Sequence, residues 1–344
     1  MTEVSNFKIS NLTLEDISIP NIDDSSNAAI EITFLDFTNS NMTQIEDISM
    51  TNSQISLMNV RSIQNSDSDS KNFIVNNVNI NNVYIPSPRT LVSTEGFESK
   101  GNISFSLNSF NISGVEFRTI GEIFNFKHYL ENPVVVRNGI FRDIISGSIK
   151  METNSMKSDL INKAIFENCA FSSIENPQRS FINFLANALI DVRSSNFSNI
   201  TSTNDNSGVI SLHSSSISSF TDTNFQNNSA MVASIFSVES KSQLTCVNWS
   251  ILNNFALISG VFQVSSSGVL SFINSKLHNN FAIQYPLGSI LETIRISSFS
   301  NWEIYQNLLT TQQEIEGLFD GNCTNLWMLD VKFIQYLSKF LNSK

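Results

Sequence analysis

The sequence predicts an all-β chain, a right-handed parallel β-helix solenoid of about a dozen coils that spans residues 1–344. Three observations predict this fold class. A short motif returns about every 26 residues, an interval typical of solenoid repeats. Short runs alternate between apolar and polar side chains, as strands do. Apolar stripes with helical spacing are missing from almost the whole chain.

The repeat is clearest between Gly208 and Asn307. Each segment opens with a small residue and an apolar pair, and it closes with a bulky apolar residue that is followed by Asn. The closing pairs are Phe225/Asn227, Ile251/Asn253, Leu277/Asn279 and Ile304/Asn307. We call the bulky closing residue of each segment a corner. Fainter corners continue towards the N-terminus at Phe197, Phe171, Phe141, Phe117, Ile80, Val60, Met42 and Leu14. We therefore expect one solenoid over the whole chain, with its most regular coils at 180–310.

Each coil is expected to contain three short strands, and stacking pairs every strand with its copies in the coils above and below. Asn227, Asn253 and Asn279 would then stack at one inward turn and form a ladder of amide hydrogen bonds. A leucine-rich repeat would need Leu at several fixed sites, and a left-handed β-helix would need a hexapeptide period. Neither pattern is present, so the right-handed parallel β-helix fits best.

The ends and the irregular spacings give further expectations. Residues 333–344 place Phe333, Leu337 and Phe340 on one helical face, which predicts a short capping helix. The competing interpretation is one more coil, because Gly317-Leu-Phe319 resembles Gly260-Val-Phe262. No cap precedes the first repeat, so the chain is expected to be part of a longer protein or to be capped by another molecule. A protruding loop is predicted at 86–100.

Charge and cysteine usage exclude several classes of function. The net charge of −11, with no cluster of Lys and Arg, argues against a nucleic-acid partner. Cys169, Cys246 and Cys323 are expected to lie about 14 Å apart, too far for a disulfide, so we predict single buried thiols. The N-terminal residues lack the pattern of a signal peptide, and no apolar window is long enough to span a membrane.

Carboxylates are the first candidates for catalysis, because glycoside cleavage needs two carboxyl groups about 5–10 Å apart. Three acidic pairs occur, at Asp23-Asp24, Asp67/Asp69 and Glu314/Glu316, but all fall in predicted loops with different registers. Asp222 is matched in later coils by Asn248, Asn274 and Asn301, which indicates a structural column. Arg118 and Arg142, which is followed by Asp143, occupy corresponding corners. A stacked pair of Arg side chains could bind a carboxylated sugar, although exposed turn positions fit better.

Other candidates are weaker. His128, His213 and His278 are scattered, without Glu or Cys at ligand spacing. Trp249 and Trp302 occupy matching coils and suggest either a platform for sugar rings or, preferably, core packing. Nine N-x-S/T sequons occur about as often as this composition predicts, and several are expected to point inward: Asn11, Asn41, Asn102, Asn111, Asn196, Asn199, Asn227, Asn248 and Asn322. We predict no catalytic, cofactor-binding or metal-binding residues.

The repeat motif resembles that of a known group. Its opener and its closing Phe-x-Asn, as in Phe197-Ser-Asn199 and Phe225-Gln-Asn227, are similar to the repeats of chlamydial polymorphic outer-membrane proteins. More broadly, the chain resembles right-handed β-helix (pectin-lyase-like) proteins, including repeat-bearing surface proteins of protists. The openers depart from the chlamydial Gly-Gly-Ala form, since a single small residue precedes the apolar pair. The resemblance implies extracellular display, adhesion or a spacer role in some relatives, and polysaccharide lyase or hydrolase activity in others.

The expected function is a non-enzymatic structural or adhesive rod, a segment of a surface or assembly protein. Its expected partners are proteins or glycans on the solenoid face or loops, or further coils of the same protein. Two alternatives remain: a carbohydrate-active enzyme with a site built from loops near 86–100, and a subunit of an intracellular assembly. The repeat motif is architectural and does not decide among them.

Overall fold

The computed structural model describes most of the chain up to residue 282 and short segments beyond it. The described residues are 7–17, 33–38, 42–54, 56–61, 71–85, 90–97, 103–128, 133–151, 162–176, 179–185, 187–203, 208–265, 268–282, 288–294, 297–300, 303–305, 308–309, 319–323, 326–329 and 332–334. Within these ranges the regular elements are all strands. Their pairing is parallel, so the predicted all-β parallel solenoid is confirmed.

The chain divides into two compact units. The first holds Met1–Glu175 with Asn187–Leu189, and the second holds Asn176–Ala186 with Ile190–Lys344. The strands of the first unit are β1 (Phe7–Glu15), β2 (Thr33–Thr38), β3 (Met42–Thr51), β4 (Ser56–Arg61), β5 (Lys71–Ile85), β6 (Thr90–Phe97), β7 (Ile103–His128), β8 (Val134–Arg137), β9 (Ile140–Met151), β10 (Asn162–Glu167) and β11 (Ala170–Asn176).

The remaining strands belong mainly to the second unit and are shorter. They are β12 (Ile182–Phe184), β13 (Ala188–Arg193), β14 (Asn196–Ser202), β15 (Ile210–Leu212), β16 (Ile217–Thr221), β17 (Asn224–Gln226), β18 (Ser229–Ala230), β19 (Phe236–Val238), β20 (Gln243–Val247), β21 (Ser250–Leu252), β22 (Phe255–Ala256), β23 (Phe262–Val264), β24 (Val269–Ile273), β25 (Lys276–His278), β26 (Phe281–Ala282), β27 (Gly288–Ile294), β28 (Ser297–Ser300), β29 (Glu303–Tyr305), β30 (Leu308–Leu309), β31 (Phe319–Cys323), β32 (Leu326–Leu329) and β33 (Lys332–Ile334).

Each unit stacks about six coils. In the first, one column of parallel strands runs β1, β3, β5, β7, β8 and β10. In the second, a column runs β13, β16, β20, β24, β28 and β32. The prediction of one stack of about a dozen coils is therefore corrected to a stack of about six coils in each unit.

The register confirms the strongest corners and corrects three of the faint ones, Phe117, Val60 and Met42. Phe225, Ile251, Leu277 and Ile304 are successive partners, and Phe333 of β33 continues their column. In the first unit, by contrast, Phe141 lies opposite Ile112, whereas the predicted corner Phe117 lies opposite Ile85. Val60 and Met42 also lie outside the corner column, since they are opposite Phe37 and Asn72. Leu14 and Ile80 do belong to it, each as a partner of Met50.

Left-handed backbone conformations divide each coil between Ile210 and Ala282 into four short strands rather than the expected three. Asn248 and Asn253, which follow β20 and β21, both have a φ of 54°. Their counterparts Asp222, Asn274, Asn227 and Asn279 have φ values of 52–54°. Asn and Asp adopt this conformation at lower cost than other side chains because their short polar groups hydrogen-bond locally. The Asn-rich composition therefore reflects a need for two turn positions in every coil.

The interior of each unit is packed with Phe and aliphatic side chains. Phe197 and Phe225 stack with ring centroids 4.9 Å apart, and Phe225 meets Trp249 edge to face at 6.0 Å. In the first unit, Phe141 and Phe171 stack in the same way at 4.9 Å. All of these rings are buried. Burial at this level contributes about 1.5–3 kcal/mol per large apolar side chain, which makes the column the main source of stability.

Two regional predictions are wrong. The protruding loop expected at 86–100 contains β6, whose Leu91 and Val92 are fully buried. Strand β6 pairs with β4 and β7. The capping helix expected at 333–344 does not begin at Phe333, which lies in β33, and residues 335–344 lie outside the described part of the chain. The competing expectation of a further coil is confirmed, because Phe319 lies in the same column as Phe262.

Candidate functional site: asparagine ladders and a Ser–His–Glu cluster

A buried ladder of asparagines joins the coils of the second unit. The Asn228 amide nitrogen donates to the Asn254 amide oxygen at 3.0 Å, and Asn254 donates to Asn280 at 2.9 Å. All three side chains are buried. The predicted ladder at Asn227, Asn253 and Asn279 was thus displaced by one residue, since those residues are exposed and occupy the left-handed turn.

Every polar atom of the middle side chain in this ladder is bonded. The Asn254 amide nitrogen also donates to the Phe225 carbonyl oxygen at 3.1 Å, and its amide oxygen accepts the Asn228 backbone N–H at 2.9 Å. A buried amide with its partners satisfied stabilises the fold, whereas an unsatisfied one costs about 1–3 kcal/mol. These asparagines are therefore structural residues rather than ligand-binding ones.

A second column of amides runs along the surface. Asn248 donates to Asp222 and Asn274 donates to Asn248, each at 3.0 Å. The predicted structural column is confirmed over these three residues, and its fourth member, Asn301, lies outside the described residues. The Asp222 carboxylate and the Asn248 amide oxygen each accept a hydrogen bond from the next coil. The column therefore stabilises the left-handed turns.

The candidate charged sites are not assembled in the described residues. Asp23, Asp24, Asp67, Asp69, Glu314 and Glu316 all lie outside those residues. Arg118 and Arg142 are exposed but do not correspond, because Arg142 lies opposite Ser113. The expected Arg pair is therefore wrong, and the cause is the misassigned corner at Phe117. Among the described residues, no three His, Cys, Asp or Glu side chains converge as metal ligands do.

The sequons face outward where the structure describes them. Asn11, Asn196, Asn199, Asn227 and Asn248 are exposed, and Asn111 is half-buried. The expectation that several point into the solenoid is therefore wrong. The expectation failed because the residue with a left-handed backbone, such as Asn227, faces solvent, and the buried asparagine is the next residue, such as Asn228.

The aromatic and thiol candidates are core residues. Trp249 is 1% exposed and its indole N–H donates to the Ser275 hydroxyl, which confirms core packing, while Trp302 lies outside the described residues. Cys169 and Cys246 are buried free thiols, as predicted, and the side chain of Cys323 lies outside the described part of the structure. Burial raises the pKa of Cys169 to about 11 and raises the pKa of Cys246 well above its usual value. Thiols held protonated in this way are poor nucleophiles.

One constellation with catalytic geometry does occur, at Ser211, His213 and Glu239. The Ser211 Oγ lies 2.5 Å from His213 Nε2, and His213 Nδ1 lies 3.0 Å from Glu239 Oε2. The imidazole therefore connects a hydroxyl and a carboxylate through its two nitrogens. This is the order of contacts in a hydroxyl nucleophile, a general base and an orienting carboxylate.

The solenoid itself builds this cluster. Ser211 lies in β15, and His213 follows two residues later, so both side chains lie on the same side of the strand. Leu212 lies opposite Val238 of β19, which places Glu239 beside His213 in the next coil. Backbone bonds hold both ends of the contact. The His213 N–H donates to the Phe184 carbonyl at 2.8 Å, and the Glu239 N–H donates to the Leu212 carbonyl at 2.9 Å.

The carboxylate is held in its charged form. Hydrogen bonding from His213, aided by Ser237, lowers the pKa of Glu239 against the opposing effect of burial. The Ser237 hydroxyl donates to the other carboxylate oxygen at 3.2 Å. The side chains of His213 and Glu239 are 28% and 29% exposed, whereas Ser211 is 2% exposed. Solvent thus reaches the base and the carboxylate more readily than it reaches the hydroxyl.

Sequence reasoning missed this cluster. His213 appeared isolated because the search for its partners was local, while its carboxylate lies one 26-residue period away. A comparison of residues at equal positions in successive coils would have paired His213 with Glu239. The Ser–His spacing of two residues is common on any strand and gives no signal by itself.

Comparison of the chain with protein-family models, with curated proteins and with solved structures finds no match. In the described part of the chain, no helix has the length and hydropathy of a membrane span.

Proposed function

We propose that this chain is a structural and adhesive β-solenoid of a surface or assembly protein. The observation that carries the proposal is the use of its repeated polar residues. The buried Asn228–Asn254–Asn280 ladder and the surface column at Asp222 and Asn248 bond to neighbouring coils instead of facing a common pocket. Because the repeated polar side chains bond neighbouring coils to each other, they favour a structural role in which the solenoid presents a rigid surface.

The contact surface that we assign for adhesion lies on the second unit. Phe255 and Phe281 stack across adjacent coils with ring centroids 5.4 Å apart, and Phe255 is 38% exposed. Met231 and Leu257 are similarly exposed beside them. We name these four residues the aromatic step. Partly exposed aromatic side chains offer the apolar faces of sugar rings a contact area, so the partner class that we propose is a glycan.

Affinity electrophoresis tests the proposal. The chain is run through gels that contain polygalacturonate, xylan or β-glucan, and the same mixtures are assayed for released reducing ends. We expect one of these polysaccharides to retard the native chain without being cleaved. Phe255→Ser should abolish the retardation. Ile217→Ser, a matched substitution at an exposed residue outside the aromatic step, should leave it unchanged.

The other outcomes separate the alternatives. Reducing ends that rise with the amount of chain would replace the adhesive role with that of a carbohydrate-active enzyme. Retardation that survives Phe255→Ser would show that the aromatic step is not the contact surface. A native chain that none of the three glycans retards would contradict glycan adhesion.

A further inference from the structure

The geometry points to a nucleophilic acyl-transfer site at Ser211, with His213 as general base and Glu239 as the residue that positions the base. This goes beyond the structural and adhesive role, and it concerns a different coil position from the aromatic step. The two contacts join the hydroxyl, the imidazole and the carboxylate in the order that nucleophilic catalysis uses.

The chemistry is a two-step ester hydrolysis. Ser211 Oγ attacks the carbonyl carbon of an ester while its proton passes to His213 Nε2. The tetrahedral adduct then expels the alcohol, which leaves with that proton, and the acyl group remains on Ser211. A water molecule next attacks the acyl carbonyl with His213 as its base, and this step releases the carboxylic acid and restores the Ser211 hydroxyl.

Burial of the nucleophile defines the substrate class. Ser211 is 2% exposed, so an acyl group must be slim to reach its Oγ. Acetyl is the slimmest common acyl group, so an acetyl ester of a good leaving group is the substrate that we propose. The side chains of His213 and Glu239 are partly exposed, which leaves the proton acceptor in contact with water for the second step.

The next coil contains a matched control. Ser237 is the register partner of Ser211, lies in the equivalent three-residue strand and is buried to the same degree. Two residues after Ser237 the chain carries Glu239 instead of His, so this serine lacks an imidazole base on its own strand. If burial and strand position alone made a serine reactive, Ser211 and Ser237 would react equally.

The test measures p-nitrophenyl acetate with the full chain. Release of p-nitrophenolate is followed in time, and acetylated residues are mapped by peptide mass spectrometry, which separates Ser211 from surface lysines. We expect a burst of about one equivalent per chain with acetyl on Ser211. S211A should abolish the burst, Ser237 of the native chain should carry no acetyl group, and H213N should slow acylation about 10²–10⁴-fold.

Glu239 requires a readout that a structural role would not change. E239Q should slow acylation, and E239D, which keeps a carboxylate, should restore part of the rate. Circular dichroism and the denaturation midpoint of each variant confirm folding. The proposal is overturned if folded native chain shows no Ser211 acetylation, if S211A keeps the burst, or if H213N reacts at the native rate. None of these results bears on glycan retention, so the two proposals fail independently.

Discussion

At the scale of single residues, neighbouring asparagines in a coil have different tasks. Asn253 has a positive φ and faces solvent, while Asn254 turns inward and bonds to two other coils. The sequence predicts that asparagines stack, because they recur with the period. It does not predict which of two adjacent asparagines does so, since that depends on where the left-handed turn shifts the alternation of the strand.

The first prediction separates these tasks. Asn254→Ala removes both the donor to Asn280 and the acceptor for Asn228, and it leaves the buried polar groups of these two residues unsatisfied. We expect a loss of about 4 kcal/mol in the free energy of unfolding, because each unsatisfied group costs about 1–3 kcal/mol. Chemical denaturation measures it. Asn253→Gly is the control and should change stability by less than about 1 kcal/mol, since glycine also adopts a positive φ. Equal costs for the two variants would refute the assignment.

The second prediction concerns pH. Hydrogen bonding to His213 lowers the pKa of Glu239 in the folded chain from an ordinary value of 4.5. A carboxyl group whose pKa is depressed by folding stabilises the native state fully above its unfolded pKa, and that contribution disappears as the pH falls through the folded value. Stability should therefore decline below pH 4.5, more steeply in the native chain than in E239Q. Denaturation midpoints measured between pH 3 and 7 test this, and parallel curves for the two chains would contradict it.

The third prediction concerns the thiols. Burial holds Cys169 and Cys246 protonated, so neither should react with iodoacetamide at pH 8 while the chain is folded. Peptide mass spectrometry assigns the modified residues, and denatured chain provides the positive control. Rapid modification of Cys246 in folded chain would show that its strand, β20, is open to solvent.

At the scale of elements, the close approach of the next coil limits side-chain size at Gly208, just before β15. A Cβ added at Gly208 would lie 2.5 Å from the carbonyl carbon and oxygen of Ile235 in the next coil. The backbone there has no flexible end that can move away. This contact explains why a glycine precedes the apolar pair Val209-Ile210.

The fourth prediction tests that constraint. Gly208→Ala should lower the free energy of unfolding by about 3 kcal/mol, the upper end of the usual cost of overpacking. Ser234→Ala, at the equivalent position one period later, removes the hydrogen bond to the Gly260 carbonyl and should cost about 1 kcal/mol. A smaller cost at Gly208 than at Ser234 would mean that the coils tolerate a side chain there.

The corner column could be predicted from the sequence in the second unit but only in part in the first. The corner column of the second unit was predictable because its period is constant. In the first unit, Phe117-Arg-Thr-Ile120 matches the motif better than Ile112-Ser-Gly-Val115, yet Ile112 occupies the column. Gly114, at a φ of 61°, supplies the left-handed turn that Asp143 supplies in the next coil. The motif describes the spacing of apolar residues and not the position of this turn. The corner of this coil was therefore assigned to Phe117 instead of Ile112, and that error led to the wrong Arg pair and the wrong loop at 86–100.

At the scale of the molecule, the fold class was predictable because period, alternation and composition agree, and each reflects one cause, the stacking of like strands. The Ser211–His213–Glu239 cluster was not, since its members meet only after two coils are placed in register. In a periodic sequence, therefore, the repeated residues predict the fold, whereas a cluster formed by residues that do not repeat is found only when the coils are aligned.

The central claim is that coils of the second unit stack in parallel register at a period of 26 residues. Cysteine pairs test it most directly. Asn224 and Ser250 are register partners, and neighbouring strands lie about 4.8 Å apart, within the span of a disulfide. Mild oxidation should link Asn224→Cys to Ser250→Cys in folded chain and leave Asn224→Cys with Leu252→Cys, which is offset by two residues, unlinked. Efficient linkage of the offset pair, or none of the register pair, would contradict the stack.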